Sequence, residues 1–263
     1  MFKKKKNILA LGGGGARGLA NIGALKVIER HFGRENFPFD MIIGTSIGSF
    51  IGAAYCFGKT PEEIEEKAIS FEWPNLVDLG LHPTGLIRGS KFEDLIRETV
   101  GEKSFEDFKI PFALTTTDLE TGEEMLHESG NLVKLIHASC SWPGIFSAVE
   151  IDGKLLVDGG IRNSIPTKAA YESGASFVLA VNPGFCVKSQ KVSNILIAFA
   201  QSVQIMGEEL NRYQSAAADV VIEPKLVNID QLDFDKAPLI IKQGELAAEE
   251  KISKIKRKMR KFW

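Results

Sequence analysis

Histidine and cysteine are scarce in this 263-residue chain, and neither is arranged for metal or disulfide chemistry. The three cysteines (Cys56, Cys140, Cys186) are odd in number, far apart and without a C-x-x-C pair. They suggest neither a disulfide framework nor a zinc site. The four histidines (His31, His82, His127, His137) are scattered singly, and none follows His137. No apolar run approaches the length of about 18 residues that spans a bilayer. Lys3 to Lys6 followed by Asn7–Leu11 imitate the start of a secretory signal. That apolar stretch stops at a run of glycines, short of the roughly 7–15 residues such a signal needs. The expectation is a soluble, cytoplasmic protein.

An excess of either charge is also missing, but only on average. The chain has 32 basic and 34 acidic side chains, a net of −2. Lys3–Lys6 and residues 251–263 together hold 11 positive charges and no acid, which leaves 21 basic and 34 acidic groups in the body, a net of −13. Such a distribution excludes a uniformly basic nucleic-acid binder. On a helical wheel Ala248, Ile252, Ile255, Met259, Phe262 and Trp263 fall within an arc of roughly 100°. A basic amphipathic helix over about 240–263 suits either peripheral contact with an anionic membrane or docking on the body.

No internal repeat or long linker divides the chain, so residues 1–263 read as one domain. Short apolar runs alternate with helix-like segments, which predicts an α/β layer architecture. Strands are expected at Asn7–Leu11, Phe39–Ile43, Phe112–Thr117, Leu155–Val157, Phe177–Asn182 and Val220–Glu223. Helices are expected over about Leu19–His31, from Ile47 to near Gly58, after Thr60, from Ser90 to about Val100, over about Val192–Tyr213 and from about Asp235 onward. Thr60-Pro61-Glu62-Glu63 and Ser90 with Glu93 both carry the capping-box pattern.

Gly12-Gly13-Gly14-Gly15-Ala16-Arg17-Gly18 lies between a strand and a helix, where backbone N–H groups can approach an anion. A P-loop fails because Gly18 is followed by Leu19 rather than Lys. A dinucleotide site wants an acid at the far end of the second strand; Asp40 precedes that strand and its far end carries Gly44-Thr45-Ser46. Glu35 also stands at a suitable distance, so the dinucleotide reading stays open beside a third, an oxyanion hole.

Gly44-Thr45-Ser46-Ile47-Gly48 is a G-x-S-x-G elbow between a strand and an apolar helix. Shuffling this composition produces the pattern roughly 0.15 times, so the strand–turn–helix context carries the signal. Two bases compete for Ser46. A Ser-His-Asp arrangement in hydrolase order needs a histidine after the acid, which leaves Asp118 with His127 or His137. The other candidate is Asp158 in Val157-Asp158-Gly159-Gly160, acting on Ser46 directly. An ordinary aspartate has a pKa of about 3.9, so its surroundings would have to raise its basicity.

Taken together, Gly13-Gly14-Gly15-Ala16-Arg17-Gly18, the Ser46 elbow and Asp158-Gly159-Gly160 resemble the patatin-like phospholipases. The similarity runs from about Ile8 to Pro224 and includes Thr115–Asp118 and Ser139–Phe146. It implies a mostly parallel central sheet flanked by helices, a three-layer α/β/α fold, and hydrolysis of lipid acyl esters through an acyl-serine intermediate. It implies Ser46 as nucleophile, Asp158 as base, the Gly14 and Gly15 N–H groups as oxyanion hole, and no metal or cofactor. Gly13, Gly18, Gly44, Gly48, Gly159 and Gly160 support the motifs, and Arg17 reads as organising the loop. Trp142 departs from the smaller residue expected before Pro143, and would either narrow an acyl pocket or pack in the core. The aromatic, aperiodic stretch Phe71–Leu81 suits a lid or a packed loop. A non-catalytic lipid-binding protein of the same fold is the rival from another class.

Overall fold

The computed structural model describes residues 6–82, 84–187 and 191–260. In chain order the strands are β1 (Asn7–Leu11), β2 (Met41–Thr45), β3 (Leu79–His82), β4 (Gly85–Ile87), β5 (Phe112–Asp118), β6 (Glu124–His127), β7 (Val149–Ile151), β8 (Lys154–Asp158), β9 (Phe177–Val181) and β10 (Val220–Ile222). The helices are α1 (Ala20–Phe32), α2 (Ile47–Phe57), α3 (Pro61–Ile69), α4 (Ser90–Val100), α5 (Leu132–Cys140), α6 (Gly160–Asn163), α7 (Thr167–Glu172), α8 (Ile195–Ala216) and α9 (Ala237–Arg260).

All five residues of β1 are buried, as are all five of β2 and β9. Strands covered on both faces read as continuous apolar runs, and they belong to parallel sheets. Their alternate side chains enter two separate cores. Leu9, Leu11 and Ile42 join one; Ile8, Ala10, Met41 and Ile43 join the other. The first core includes residues of α1, α2 and α9, and the second includes Ala170 of α7. The result is three layers, helices on either side of a sheet ordered β10-β9-β1-β2-β5-β8-β7, with β6 beside β5. Pairings from β10 through β5 are parallel; those of β5 with β6 and β8, and of β7 with β8, are antiparallel. The expected architecture is therefore the one observed.

Local details differ from expectation at the second strand and at one of the two expected capping boxes. The second strand starts two residues later than read, because Asp40 accepts the Asn7 N–H at 2.8 Å and Asn7 Nδ2 donates to the Pro38 carbonyl. Phe39 is buried in the approach to the strand. The Thr60 capping box forms as expected, with Thr60 Oγ1 accepting from Glu63 N and Glu63 Oε2 accepting from Thr60 N. The Ser90 box does not form. Gly89 is the cap of α4, Ser90 donates to Asp78, and Glu93 turns to His137 and Arg97.

The C-terminal helix settles where its apolar stripe goes. Ala248, Ile252, Ile255 and Met259 of α9 are buried in the first core, and Phe262 and Trp263 lie outside the described residues. The helix crosses α1 with backbones nearly touching: a methyl group on Gly23 or Gly244 would collide with the other helix's main chain. Two of its basic groups also engage the body. Lys256 stands over the Phe32 ring, and Lys258 Nζ donates to the Asp219 carbonyl at 2.8 Å. The described part of the stripe that suited a bilayer is occupied by protein, and the exposed residues of this helix include basic Lys254 and Arg257.

Candidate active site

The glycine loop after β1 and the elbow after β2 leave the same end of the sheet, and antiparallel β8 brings Asp158 to them. Ser46 follows β2 and caps α2 with φ 54° and ψ −132°, a region that non-glycine residues enter rarely and at a cost. The turn is possible because its neighbours lack side chains. A Cβ on Gly44 would stand 2.5 Å from Ser49 Cα, and one on Gly48 would run into the carbonyls of Leu11 and Gly12. The elbow is held from behind: Ser46 N–H donates to Ser139 Oγ at 2.9 Å, and Ser139 Oγ donates to the Thr115 carbonyl at 2.8 Å. Ser49 Oγ donates to the Ser46 carbonyl at 2.6 Å.

Asp158 ends β8, which lies antiparallel to β5 so that Asp158 stands opposite Thr116. Ser46 Oγ donates to Asp158 Oδ2 at 2.6 Å. Asp158 Oδ1 accepts the Gly160 N–H, also at 2.6 Å, and Gly159 caps α6. Ser46 and Asp158 are 8% and 3% exposed. Burial pushes the Asp158 carboxyl up to about 6, against the opposing pull of the Ser46 and Gly160 hydrogen bonds. That is the direction the sequence reading required of a carboxylate base.

Neither histidine reaches this pair. His127 Nε2 is 2.7 Å from Thr116 Oγ1, and burial beside Lys154 drives its pKa down to about 4. His137 Nδ1 is 3.0 Å from Glu93 Oε1, in the α4–α5 contact. Asp118 accepts the Glu120 N–H and lies 4.0 Å from Lys154 Nζ. The Ser-His-Asp alternative therefore lacks its geometry: the described hydrogen bond of the Ser46 hydroxyl goes to a carboxylate.

The glycine loop passes over the elbow. Gly12 N–H donates to Val181, Gly13 N–H to Ser164 and Ala16 N–H to Gln231, whereas the Gly14 and Gly15 N–H groups have no acceptor among the described residues. Gly15 has φ 55° and lines the same cavity as Ser46. Arg17 is buried and fans its guanidinium onto four carbonyls, of Pro183, Gly184, Leu226 and Ile229. It thus ties the loop after β9 and the segment after β10 to the glycine loop. Gly18 lends its carbonyl to Asn21, whose amide also reaches the Gly12 carbonyl at 2.9 Å. Asn21 went unrecognised in the sequence; its signal was an amide on the otherwise apolar face of α1. Ser139 was legible only as part of a longer segment.

Ser46 and Asp158 open onto a cavity of about 550 Å³, within the size range of ligand sites. Ile51, Ala54, Phe71, Leu76, Phe92 and Leu95 give it an apolar wall. Trp142 also lines it and is half-buried, which makes it pocket wall rather than core. Phe71 and Leu76 belong to the stretch read as lid or packed loop. Phe71 meets Phe234 ring to ring, and Asp78 accepts both the Gly89 and Ser90 N–H groups. Side chains at 73, 75 and 79–82 lie outside the described residues. No group of three or more His, Cys, Asp or Glu among the described residues is placed to hold a metal. No helix among them is long and apolar enough to cross a membrane.

Known proteins resemble the chain in sequence and in fold. The chain is 35% identical over 186 residues to neuropathy target esterase sws of Drosophila melanogaster and to human patatin-like phospholipase domain-containing protein 6, covering 67% of this chain and 13% of each relative. It is 33% identical over 182 residues to lysophospholipase NTE1 of Debaryomyces hansenii, covering 67% of this chain and 12% of that protein. The chain thus spans only about an eighth of the curated relatives it matches. Among solved structures, VipD from Legionella pneumophila superposes with a TM-score of 0.65 at 11% identity, over 94% of this chain and 66% of that one, a likeness of fold. The type III effector protein ExoU superposes at 0.50 with 14% identity, over 95% and 53%. A family model described as patatin-like phospholipase matches residues 9–171, more than half of the chain, and the chain belongs to that family.

Proposed function

We propose that this chain is a serine acylhydrolase that cleaves lipid acyl esters, of a phospholipid or a lysophospholipid, with Ser46 and Asp158 as a catalytic dyad. The observation that carries the reading is the buried 2.6 Å hydrogen bond from Ser46 Oγ to a carboxylate whose pKa is raised to about 6. As Ser46 Oγ attacks the acyl carbonyl carbon, its proton passes to Asp158. The Gly14 and Gly15 N–H groups face the oxygen that gains negative charge, and each such donor is typically worth about 10²–10³ in rate. Collapse breaks the ester C–O bond, and the departing alcohol takes the proton from Asp158. Water then attacks the acyl-serine and gives its proton to Asp158, which returns it to Ser46 Oγ as the fatty acid leaves. No step calls on a metal or a cofactor.

The apolar cavity supports a long acyl chain as the bound part of the substrate. The named lysophospholipase among the relatives supports a phospholipid-type ester. The three free cysteines suit a reducing compartment such as the cytoplasm.

Fluorophosphonate labelling with mapping of the adduct tests this, followed by turnover on phosphatidylcholine, lysophosphatidylcholine and a neutral glyceride. The expected adduct is on Ser46, and Ser46→Ala and Asp158→Asn each abolish turnover of a short p-nitrophenyl ester with an unchanged circular dichroism spectrum. An unlabelled Ser46 with every ester intact would leave a lipid-binding protein and refute the reading. Full activity of Asp158→Asn would remove the dyad alone.

A further inference from the structure

Helix α8 is built inside out. Its body-facing side is polar: Asn211 Nδ2 donates to Ser164 Oγ at 3.0 Å, Gln214 Oε1 accepts from both Ser164 N and Ser164 Oγ, and Gln204 bonds to Gln231. Its outward side is apolar, at the spacing of a single face, with Ile195 83%, Phe199 53%, Met206 58%, Leu210 46% and Tyr213 69% exposed. A surface helix normally shows the reverse arrangement. Isolated exposed apolar residues are ordinary, but a contiguous face of them marks a contact surface.

The position of this face identifies the occupant. Ala200 and Leu232 are both exposed and both line the cavity that holds Ser46, so the cavity reaches the surface beside α8. Phe199 borders that rim: its ring lies 3.8 Å from where a Cβ on Gly144 would stand, in the same turn as cavity-lining Trp142 and Ile145. A second copy of the chain seated here would cover the rim and shut substrate out. The face is also nearly neutral, since Glu209 and Arg212 at its margin pair with each other at 3.3 Å. We infer that the outward face of α8 is a lipid-docking surface that seats the cavity mouth on the apolar layer of a zwitterionic membrane. The inference rests on the lipid-ester reading above, because a substrate held in a bilayer must enter the cavity from that phase. Burial of apolar area then supplies the affinity, so binding is insensitive to salt.

The test uses the full chain with phosphatidylcholine vesicles, at low and high salt. Wild type is expected to cosediment equally at both. Met206→Asp combined with Tyr213→Asp, both on the exposed face and outside the cavity lining, is expected to weaken partition by about tenfold or more. Hydrolysis of a monomeric short-chain ester stays unchanged in that variant, while hydrolysis of ester lipid carried in the vesicles falls with the lost partition. Unchanged partition of the double variant would overturn the proposal. So would binding that needs anionic lipid and disappears in salt, which places the contact on the basic residues of α9. A dimer in sedimentation that the variant converts to monomer would assign the face to a second copy instead. Binding through α8 with every ester left intact would uphold the surface and refute the hydrolase, whereas hydrolysis without α8-dependent partition would do the opposite.

Discussion

Ser139 stands behind Ser46, accepting its N–H at 2.9 Å while donating its own hydroxyl proton to the Thr115 carbonyl at 2.8 Å. One small side chain thereby joins the elbow, α5 and β5, and holds Ser46 at a φ of 54°. Ser139→Ala leaves a buried N–H without its acceptor, which costs about 1–3 kcal/mol. The elbow then relaxes, and a nucleophile misplaced by as little as ~1 Å can lose on the order of 10² in rate. Urea denaturation is expected to show the lower stability, and turnover of a p-nitrophenyl ester to fall by about tenfold or more. A variant with wild-type values of both would show that the hydrogen bond is incidental.

The Asp158 carboxyl at about 6 makes a signed statement about pH. A base must be ionised, so hydrolysis is expected to rise with pH and level off above about 6, falling roughly tenfold per unit below it. Stability runs the other way. The folded state holds this proton more tightly than the unfolded chain, whose aspartates titrate near 3.9, so folding loses stability as pH climbs from about 4 to about 6 and nothing more above. Two pKa units correspond to about 3 kcal/mol at neutral pH. Asp158→Asn, which keeps an acceptor for the Gly160 N–H, is therefore expected to be inactive yet more stable than wild type at pH 7, by up to that amount. The advantage should vanish near pH 4. Thermal melts at the two pH values decide it; a variant less stable at pH 7 would contradict the burial argument.

The crossing of α1 and α9 depends on two glycines. A Cβ on Gly23 would stand 2.6 Å from Glu245 N and would collide with the Ile241 carbonyl. Neither is a flexible side chain that can swing away, so the helices must separate. Overpacking of this kind costs typically about 1–3 kcal/mol. Gly23→Ala is expected to lower the unfolding free energy by that amount, read as a lower urea midpoint at unchanged slope. Residual activity at low temperature should stay near wild type, because Ser46 and Asp158 lie in other elements. A neutral Gly23→Ala would mean that the interface yields more readily than its backbone contact implies.

How much of this was legible in the sequence follows from burial. β1, β2, β5 and β9 are fully buried and consist mostly of apolar or small residues, so they were found within about two residues. Glu124–His127 has no residue that is fully buried and no apolar run, yet it pairs with β5 along four residues. Only the neighbouring strand makes it a strand. The hairpin of β3 with β4 was missed for another reason: it is only three or four residues long on each side and falls at the edge of a stretch read as a lid or packed loop. Within the candidate site, Ser46, Asp158 and the glycine loop stood out because the chemistry proposed for them demands particular residues at particular spacings. Ser139 and Asn21 were not, since a hydroxyl or an amide gains its role only from where the backbone groups it serves come to rest. The C-terminal stripe shows the opposite difficulty. Ala248, Ile252, Ile255 and Met259 share one buried face, but amphipathicity cannot distinguish a lipid surface from the flank of α1. On α8 the sequence suggested a helix and concealed that its apolar face points outward.

Arg17 offers the sharpest test of how the glycine loop, the proposed oxyanion hole, is built. Its Nε and both terminal nitrogens donate to four carbonyls belonging to two segments far away in sequence, at 2.7–3.1 Å. A planar fork with several donors in fixed directions can serve both segments together, and a single ammonium on a flexible stem cannot. Arg17→Lys keeps the charge but strands some of those buried carbonyls, at about 1–3 kcal/mol for each group left unpaired. The segment carrying Gln231 would then drift from the Ala16 N–H it now accepts, taking the Gly14–Gly15 peptide out of alignment with Ser46. The expected result is a variant that is less stable in urea, whose turnover falls by about 10² or more for loss of an oxyanion donor. Its Michaelis constant for a short soluble ester should change far less, because the apolar cavity wall is intact. If Arg17→Lys instead raised only that constant and left turnover unchanged, Arg17 would belong to substrate binding and not to the geometry of the loop.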